Sequence, residues 1–212
     1  MIYMGTTELG KLILYPIRDD IDDEGRQLIN WVIEVQRPVD MLLRDWNRTS
    51  DINDFIGDFE HCDFDFLNIP ALMRAADNVF EYPMCDQEML SFWSQGRITL
   101  MGDAAHPMMP RGSNGAAQAI IDAEVMTDML VANDDWIAVL KAYEDTRREA
   151  VGNIVVANRG MAPDAILRVV EERTNGARFD DIEDVFPQKE RDEWAARYKQ
   201  VVGFSKEQLR KD

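Results

Sequence analysis

The stretch from Arg97 to Leu130, RITLMGDAAHPMMPRGSNGAAQAIIDAEVMTDML, decides the fold. Its pattern predicts a buried strand over Arg97–Met101, a Gly-Asp turn, a loop rich in proline and glycine, and a long helix that begins near Gly115. Asp103 follows the C-terminal end of the predicted strand. A carboxylate at that position can accept hydrogen bonds from sugar-type hydroxyl groups.

The start of the predicted helix should face the same ligand. Gly112 and Gly115 lack the side chains that would keep the backbone away from it. Unpaired N–H groups and the positive end of the helix dipole favour an anion at such a place. The small residues Ala116, Ala117 and Ala119 leave room for a flat ring. The stretch therefore predicts a site for an anionic, polyhydroxylated cofactor.

The segment resembles the second flavin-contacting motif of the class A, single-component FAD-dependent aromatic hydroxylases, the family of the para-hydroxybenzoate and salicylate hydroxylases. That motif is a strand, GDAAH, a proline-containing loop, a Gly-x-Asn-Gly-type turn and a helix. The matching residues here are Gly102, Asp103, Ala104, Ala105, His106, Pro107, Pro110, Gly112, Asn114, Gly115, Gln118, Ala119 and Asp122. The flanking MGTT, YPI, INWVIEV and EYPM segments resemble the branch that contains the phenazine hydroxylase of pyocyanin biosynthesis, and the likeness extends from about residue 1 to about residue 204.

The resemblance implies FAD as cofactor and NAD(P)H as co-substrate. It implies that Asp103 bonds the ribityl hydroxyls and that the backbone N–H groups of residues 112–115 lie near the pyrimidine edge of the flavin ring. Pro110 would stiffen the loop, and His106 would shape it rather than act as an acid or base. The implied cofactor-binding set is Gly102, Asp103, Pro110, Gly112, Ser113, Asn114, Gly115 and Ala116. No residue is assigned a catalytic role, because the flavin carries the chemistry in this family.

The resemblance also implies a pocket for a small aromatic substrate. Tyr15, Trp31 and Tyr82 could line it from the sheet that forms the pocket floor in the family. Plain core packing is an equally good interpretation of each of the three. Met108, in the loop beside the flavin, is a further pocket candidate because its side chain is soft and adaptable.

Two features of the family are missing from this sequence. None of the 12 glycines forms the G-x-G-x-x-G spacing that places the ADP pyrophosphate on a helix N-terminus, and no Asp-Gly dipeptide occurs. The chain therefore resembles the C-terminal half of a hydroxylase, and a truncated frame, a split gene and an incomplete sequence all explain this. We expect FAD-dependent hydroxylation of an aromatic or heteroaromatic compound. The alternative is a non-catalytic or truncated fragment that needs a separate N-terminal FAD-binding half.

Composition excludes other classes. With a net charge of −17 and no basic stripe, the chain of 212 residues is not expected to bind nucleic acid. Its apolar runs are too short for a membrane span, and two cysteines with no signal peptide fit a reducing cytoplasm. A metal site is not expected either, since the consecutive His61, Cys62 and Asp63 cannot converge on one ion.

The expected fold is mixed α/β (α+β): a partial FAD/NAD(P)-binding fold with an antiparallel substrate-domain sheet and C-terminal helices. Residues 1–92 should form part of the substrate-binding domain, 93–160 the C-terminal part of the FAD-binding domain, and 161–212 a helical region. Strands are predicted over Lys11–Pro16, Gln27–Gln36, Asn78–Cys85 and Met89–Trp93. Short helices are predicted from an N-cap at Ser50 through Phe59 and over Ile69–Ala76, and longer ones over about 115–132, 135–159, 163–173 and 187–202. Arg147 and Arg148 are expected to face solvent or partner carboxylates.

Overall fold

The computed structural model describes residues 2–6, 10–35, 45, 47–160 and 164–203. They fall into two compact units, Met1–Pro83 and Met84–Asp212. The secondary structure is mixed helix and strand with small antiparallel sheets, which confirms the predicted fold class. Among the described helices, none is long and apolar enough to cross a membrane.

An antiparallel sheet is the centre of the first unit. Its strands are β1 (Ile2–Thr6), β2 (Gly10–Arg18) and β3 (Leu28–Glu34), in the order β1-β2-β3. The two predicted strands that correspond to β2 and β3 are confirmed, although Gln36 lies outside the described residues. Side chains alternate between faces along a strand. Leu12 and Leu14 on β2 and their partners Ile33 and Trp31 on β3 therefore share one face.

That face packs on short helices to make the first core. Its buried members are Leu12, Leu14, Ile56, Phe59, Ile69 and Met73. Two 3-10 helices, Ile52–Asp54 and Ile56–Phe59, replace the single helix predicted after Ser50. The prediction also chose the wrong cap, because the carboxylate of Asp51 accepts the N–H of Asn53. Helix α1 (Ile69–Arg74) forms as predicted, and the Asn68 side chain caps it by accepting the N–H of Ala71.

Three short strand pairs complete the sheet content. In the first unit β4 (Arg48–Thr49) pairs with β7 (Phe80–Glu81), and β5 (Asp63–Phe64) pairs with β6 (Leu67–Asn68). Only Phe80–Glu81 of the predicted strand Asn78–Cys85 is strand. In the second unit β8 (Ser94–Gln95) and β9 (Ile98–Thr99) form a hairpin.

Of the two strands predicted around this hairpin, the first does not form and the second is shorter than predicted. Met89–Trp93 is not a strand, because it packs on a helix instead: the Leu90 carbonyl accepts a hydrogen bond from Arg148. Only Ile98–Thr99 of the predicted strand Arg97–Met101 pairs, and the Ile98 side chain is 73% exposed rather than buried.

Helices form most of the second unit. They are α2 (Gly115–Ala132), α3 (Trp136–Gly160), α4 (Ala165–Thr174), α5 (Ile182–Val185) and α6 (Gln188–Val201). The four longer helices were predicted, with Pro163 lying outside the described residues, whereas α5 was not. The Asp135 carboxylate caps α3 by accepting the N–H groups of Ile137 and Ala138. The core between α2, α3 and the hairpin contains Trp93, Ala105, Met126, Val139, Tyr143 and Val151.

Candidate cofactor site

The hairpin delivers the chain to a tight turn at Gly102–Ala104. Gly102 has φ +57°, in the left-handed region that favours glycine, and a Cβ there would lie 3.4 Å from the Cβ of Ala119. The peptide oxygen of Gly102 accepts the N–H groups of Ala105 and His106, both at 2.9 Å. This turn fixes the direction in which the next residue, Asp103, projects.

The Asp103 carboxylate lies beside the start of α2. It is exposed, and within the described residues it makes no hydrogen bond or ion pair. A Cβ placed on Gly115 would lie 3.9 Å from Asp103 Oδ1 and 3.9 Å from Met108 Cγ. Asp103, Met108 and Gly115 therefore border one space, which a side chain at position 115 would begin to fill.

The N-terminus of α2 opens toward the same space. Asn114 is the N-cap residue, but its side chain makes no capping hydrogen bond. The first helical bond runs from the Gln118 N–H to the Asn114 carbonyl at 2.9 Å. The N–H groups of Gly115, Ala116 and Ala117 precede that bond and have no intrahelical acceptor. The site thus combines a carboxylate that accepts hydrogen bonds with a group of backbone donors and a positive helix end.

The loop before α2 is a 3-10 turn, Pro110–Gly112, followed by Ser113 with φ +54°. Pro110 and Ser113 are exposed, while Asn114 is buried. Packing inside the protein explains why position 112 is a glycine: a Cβ there would lie 1.6 Å from Tyr198 Oη and 2.9 Å from Asn158 Oδ1. The missing side chain at Gly112 is therefore required by packing inside the protein, whatever a ligand requires.

A buried ionic network lies directly behind this site. Asp122, on α2, is fully buried, and its Oδ1 accepts from Arg147 Nε at 2.7 Å. Its Oδ2 accepts from the Gly102 N–H at 3.1 Å and pairs with His106 Nε2 at 2.7 Å. Because a carboxylate only accepts, Nε2 carries the proton in this contact. The Asp122 side chain therefore connects α2 to α3 and to the residues on either side of Asp103, Gly102 and His106.

The electrostatics of the network favour the ionised carboxylate. Burial alone would raise the pKa of Asp122, but the hydrogen bonds from His106, Arg147 and Gly102 outweigh it and hold the pKa below its ordinary value of 3.8. Arg147 is also buried, and its Nη2 donates to Gln118 Oε1 at 2.7 Å. Of the two expectations for Arg147, solvent or a partner carboxylate, the structure confirms the second: its counter-charge is Asp122.

Glu144 on α3 is a second buried carboxylate, and it fixes the start of the hairpin by accepting backbone hydrogen bonds. It is 1% exposed, and its Oε2 accepts the N–H groups of Trp93 at 2.9 Å and Ser94 at 2.7 Å. Burial raises the pKa of Glu144, whereas the hydrogen bonds from Lys141 and from these two backbone groups lower it, to about 2. Asp122 and Glu144 were not predicted as positioning residues. The available signal for Asp122 was its spacing, since Gln118, Asp122 and Met126 lie four residues apart on one buried stripe of α2.

Two of the substrate candidates, Tyr15 and Trp31, lie on opposite faces of the first unit's sheet. Trp31 packs with the first core, and its ring lies 6.2 Å from that of Phe55. Tyr15 is opposite Asn30 in the register, one residue away from the Leu14–Trp31 pair, so Tyr15 and Trp31 point to opposite faces of the sheet. The idea that these two rings line one pocket is therefore corrected, and core packing describes Trp31. Tyr82 is 55% exposed.

The chain is similar to known flavin-dependent proteins. Residues 77–158 match the FAD binding domain family. The chain is 39% identical over 161 residues to a phenazine 1,6-dicarboxylic acid hydroxylase of Lysobacter antibioticus, which covers 75% of this chain and 40% of that protein. It is also 39% identical over 88 residues to a 6-hydroxynicotinate 3-monooxygenase of Bordetella bronchiseptica, covering 41% of this chain and 23% of that protein.

Solved structures share the fold. A salicylate hydroxylase in complex with its substrate aligns with TM-score 0.58 at 22% identity, over 92% of this chain and 47% of that one. HpxO of Klebsiella pneumoniae, complexed with FAD and uric acid, aligns with TM-score 0.55 at 23% identity, over 95% and 46%.

Residues 77–158 therefore match the FAD-binding domain family, and the chain resembles the C-terminal half of the FAD-dependent aromatic hydroxylases, as its sequence predicted. It spans about two fifths of the length of the phenazine hydroxylase that it matches.

Proposed function

We propose that this chain forms the ribityl and ring-edge part of the FAD site in a flavin-dependent monooxygenase. The parent reaction is hydroxylation of a small aromatic or heteroaromatic compound with O2 and NAD(P)H. The observation that carries the proposal is the exposed Asp103 carboxylate, which has no partner among the described residues, beside the uncapped start of α2, with no side chain at Gly115 between them. The hydroxylase and monooxygenase names of the relatives support the reaction class.

The residues present fit the chemistry of this cofactor. Asp103 can accept hydrogen bonds from the hydroxyls of a ribityl chain. The N–H groups of Gly115 and Ala116 can donate to carbonyl oxygens at the edge of a ring, and Gly115 leaves space for that ring. Gly102 supports Asp103 from behind, and Pro110 and Ser113 form the exposed border of the loop.

Bound FAD supplies the redox and oxygen chemistry. The contribution of this chain is position and charge. The N-terminus of α2 favours negative charge on a reduced ring, because its N–H groups and dipole are already oriented when that charge develops. Met108 borders the same space with an apolar side chain, which excludes water from one side of the ring. We keep Met108 as a candidate substrate contact in this site. Tyr15 stays a separate candidate, on the face of the first unit's sheet opposite to Leu14 and Trp31.

A separate N-terminal half is the partner that we propose. The relatives are more than twice as long as the segment matched here. Large apolar side chains around the hairpin and on α2 are exposed: Ile98 at 73%, Ile120 at 69% and Met101 at 36%. A partner that supplies the missing dinucleotide-binding half would cover apolar surface of this kind. A cytoplasmic location stays a prediction.

The decisive experiment is a flavin fluorescence titration of the chain mixed with an N-terminal half from a related hydroxylase. We expect Asp103→Ala to weaken FAD binding by roughly 2 kcal/mol, about thirtyfold, the scale of charge-assisted hydrogen bonds. The matched control is Asp128→Ala, an exposed aspartate on α2. Equal affinities in Asp103→Ala and the control would remove Asp103 from the site.

A second variant tests the space at the helix start. Gly115→Val places a branched side chain beside Asp103 and Met108, so we expect flavin binding to be lost with circular dichroism unchanged. Gly57→Val is its control, since nothing lies within 4 Å of a Cβ at Gly57. Retained flavin and normal reduction kinetics in Gly115→Val would contradict the proposed ring position.

The chain alone should neither retain FAD well nor hydroxylate at a useful rate. Its contacts reach only one part of a large, flexible cofactor, whose ordering they must offset. We expect NAD(P)H oxidation no faster than with free FAD, and better flavin retention once the N-terminal half is added. Stoichiometric FAD and unaided turnover of an aromatic substrate would show that the chain is a complete enzyme.

A further inference from the structure

Helix α6 reaches back to the cofactor loop through Tyr198. This side chain is 5% exposed, and its hydroxyl oxygen accepts a hydrogen bond from Asn114 Nδ2. The same hydroxyl donates to Asn158 Oδ1 on α3 at 2.7 Å. Burial raises the pKa of Tyr198, so the hydroxyl keeps the proton that it donates. One phenol group therefore joins the N-cap residue of α2 to α3.

A second attachment lies at the end of α6. Gln118 Nε2, in the first turns of α2, donates to the carbonyl oxygen of Val202 at 3.2 Å. Val202 and Tyr198 form a small buried cluster with Ile154, and Met108 of the cofactor loop packs against that cluster. The C-terminal helix thus contacts the loop before α2, its N-cap residue and its first turns.

The shape of the loop depends on the Tyr198 hydroxyl being in place. A Cβ on Gly112 would lie 1.6 Å from Tyr198 Oη and 2.5 Å from Asn114 Nδ2. No residue with a side chain can occupy position 112 unless Tyr198 moves. Backbone at this position is therefore packed directly on the phenol oxygen, three residues before the proposed ring contact at Gly115.

We propose that α6 acts as a latch on the cofactor loop, and that Tyr198 is a positioning residue for FAD. The latch holds residues 110–115 in the conformation that presents the backbone donors of α2. Tyr198 acts through Asn114 and Gly112 and does not itself contact the flavin. This inference rests on the proposed function only where it concerns FAD, since the packing of α6 on the loop is independent of any ligand.

Hydrogen exchange measured by mass spectrometry tests the latch without the cofactor. Tyr198→Phe removes the hydroxyl and leaves Asn114 Nδ2 and Asn158 Oδ1 without their shared partner, which is unfavourable for buried polar groups. We expect amides of residues 110–117 to exchange several-fold faster in this variant, with amides near Trp136 unchanged. Tyr3→Phe, which removes an exposed hydroxyl in the first unit, is the matched control and should change neither region.

A double-mutant cycle tests the contact itself. Gly112→Ala should be strongly destabilising in the wild type and less so in the Tyr198→Phe background, because the nearest clashing atom has been removed. Additive effects would show that Gly112 and Tyr198 are not coupled. Additivity together with unchanged exchange in Tyr198→Phe would overturn the latch.

Flavin titration in the presence of the N-terminal half tests the positioning role. We expect Tyr198→Phe to weaken FAD binding about tenfold, and Tyr3→Phe to leave it unchanged. Faster loop exchange with unchanged FAD affinity would overturn the positioning role and leave the proposed function intact. If the wild type itself binds no FAD, the proposed function and the positioning role both fail, while the exchange result still decides whether α6 holds the loop.

Discussion

Asp122→Asn is the most informative single substitution in this protein. The side chain keeps its size, so the change removes charge and one acceptor atom without leaving a cavity. In the wild type Asp122 is fully buried and holds Arg147, Gly102 and His106 at 2.7, 3.1 and 2.7 Å. The amide group of asparagine cannot accept at both positions, so at least one of these donors loses its partner.

The expected loss of stability comes from Arg147, which the substitution leaves buried without its counter-charge. Arg147 stays charged and 8% exposed, and its counter-charge is gone. Removing one partner of a buried ion pair costs about 3–5 kcal/mol. Arg147 keeps its hydrogen bond to Gln118 Oε1, so we place the loss at the lower end of that range, about 3 kcal/mol.

Urea unfolding followed by circular dichroism at neutral pH measures this loss by linear extrapolation. Asp128→Asn is the matched control, because it makes the same change at an exposed position of the same helix. If Asp122→Asn and Asp128→Asn differ by less than about 0.5 kcal/mol, the scale of ordinary surface substitutions, the network does not stabilise the fold and the reasoning fails.

The same substitution has a pH signature with a defined sign. The folded-state pKa of Asp122 lies below the ordinary value of 3.8. Its contribution to the free energy of unfolding is therefore complete above pH 3.8 and is lost as the pH falls through the lower folded pKa. The difference in stability between wild type and Asp122→Asn should shrink in acid. A difference that is constant from pH 7 down to acid unfolding would contradict this assignment.

The remaining predictions concern groups that position the turn and α1. Glu144→Gln should destabilise by about 1–3 kcal/mol at neutral pH, because the buried Trp93 N–H and the part-buried Ser94 N–H lose a charged acceptor. The effect should fade as the pH falls from 4.5 toward the folded pKa of about 2, and acid titration of the urea midpoint checks this. Gly102→Ala should destabilise by roughly 1–2 kcal/mol through its positive φ, and Asn68→Ala by about 1 kcal/mol through loss of a helix cap. Urea midpoints measure both, and values equal to wild type would contradict them.

Local signals in the sequence predicted most of the helices and two strands of the main sheet, β2 and β3, whereas β1 was not predicted. The start of α2 at Gly115 is encoded within a few residues. Such elements are predictable because the determining residues are close together in the chain.

The misplaced strands have a different cause. Residues 89–93 have the composition of a strand, but strand pairing needs a neighbour, and here Leu90 hydrogen-bonds to a helix side chain instead. Ile98 has the composition of a buried strand residue and is exposed. β-Propensity describes how well a side chain fits a sheet surface, and it does not say which surface is available.

Charged residues inside helices were the hardest to interpret. Arg147 and Glu144 lie on α3, where charged residues normally face solvent. Their burial depends on partners 25 and 51 residues away in sequence, Asp122 and Trp93. No periodicity shows contacts of that range. Asp122 lies on the buried face of α2 and pairs with Arg147. A charged residue at a core-facing position of a helix should therefore be expected to have a partner of opposite charge.

The division between free and paired groups explains how one short segment can form a cofactor site. Gly102, whose N–H is bonded to buried Asp122, immediately precedes exposed Asp103. Asn114, bonded to Tyr198, immediately precedes the uncapped N–H of Gly115. In each pair the first residue is fixed by a buried partner, and the second has no partner within the part of the chain that the structure describes. A ligand that binds the second residue meets a group already held in place, so little conformational freedom remains to be lost on binding.

Substitution of Asp122 or Tyr198 should therefore weaken binding by loosening the site, whereas substitution of Asp103 or Gly115 should weaken it by removing a contact or filling the space. Hydrogen exchange of residues 102–117 in the ligand-free protein distinguishes the two, because only the first kind of variant should exchange faster than wild type before any ligand is added.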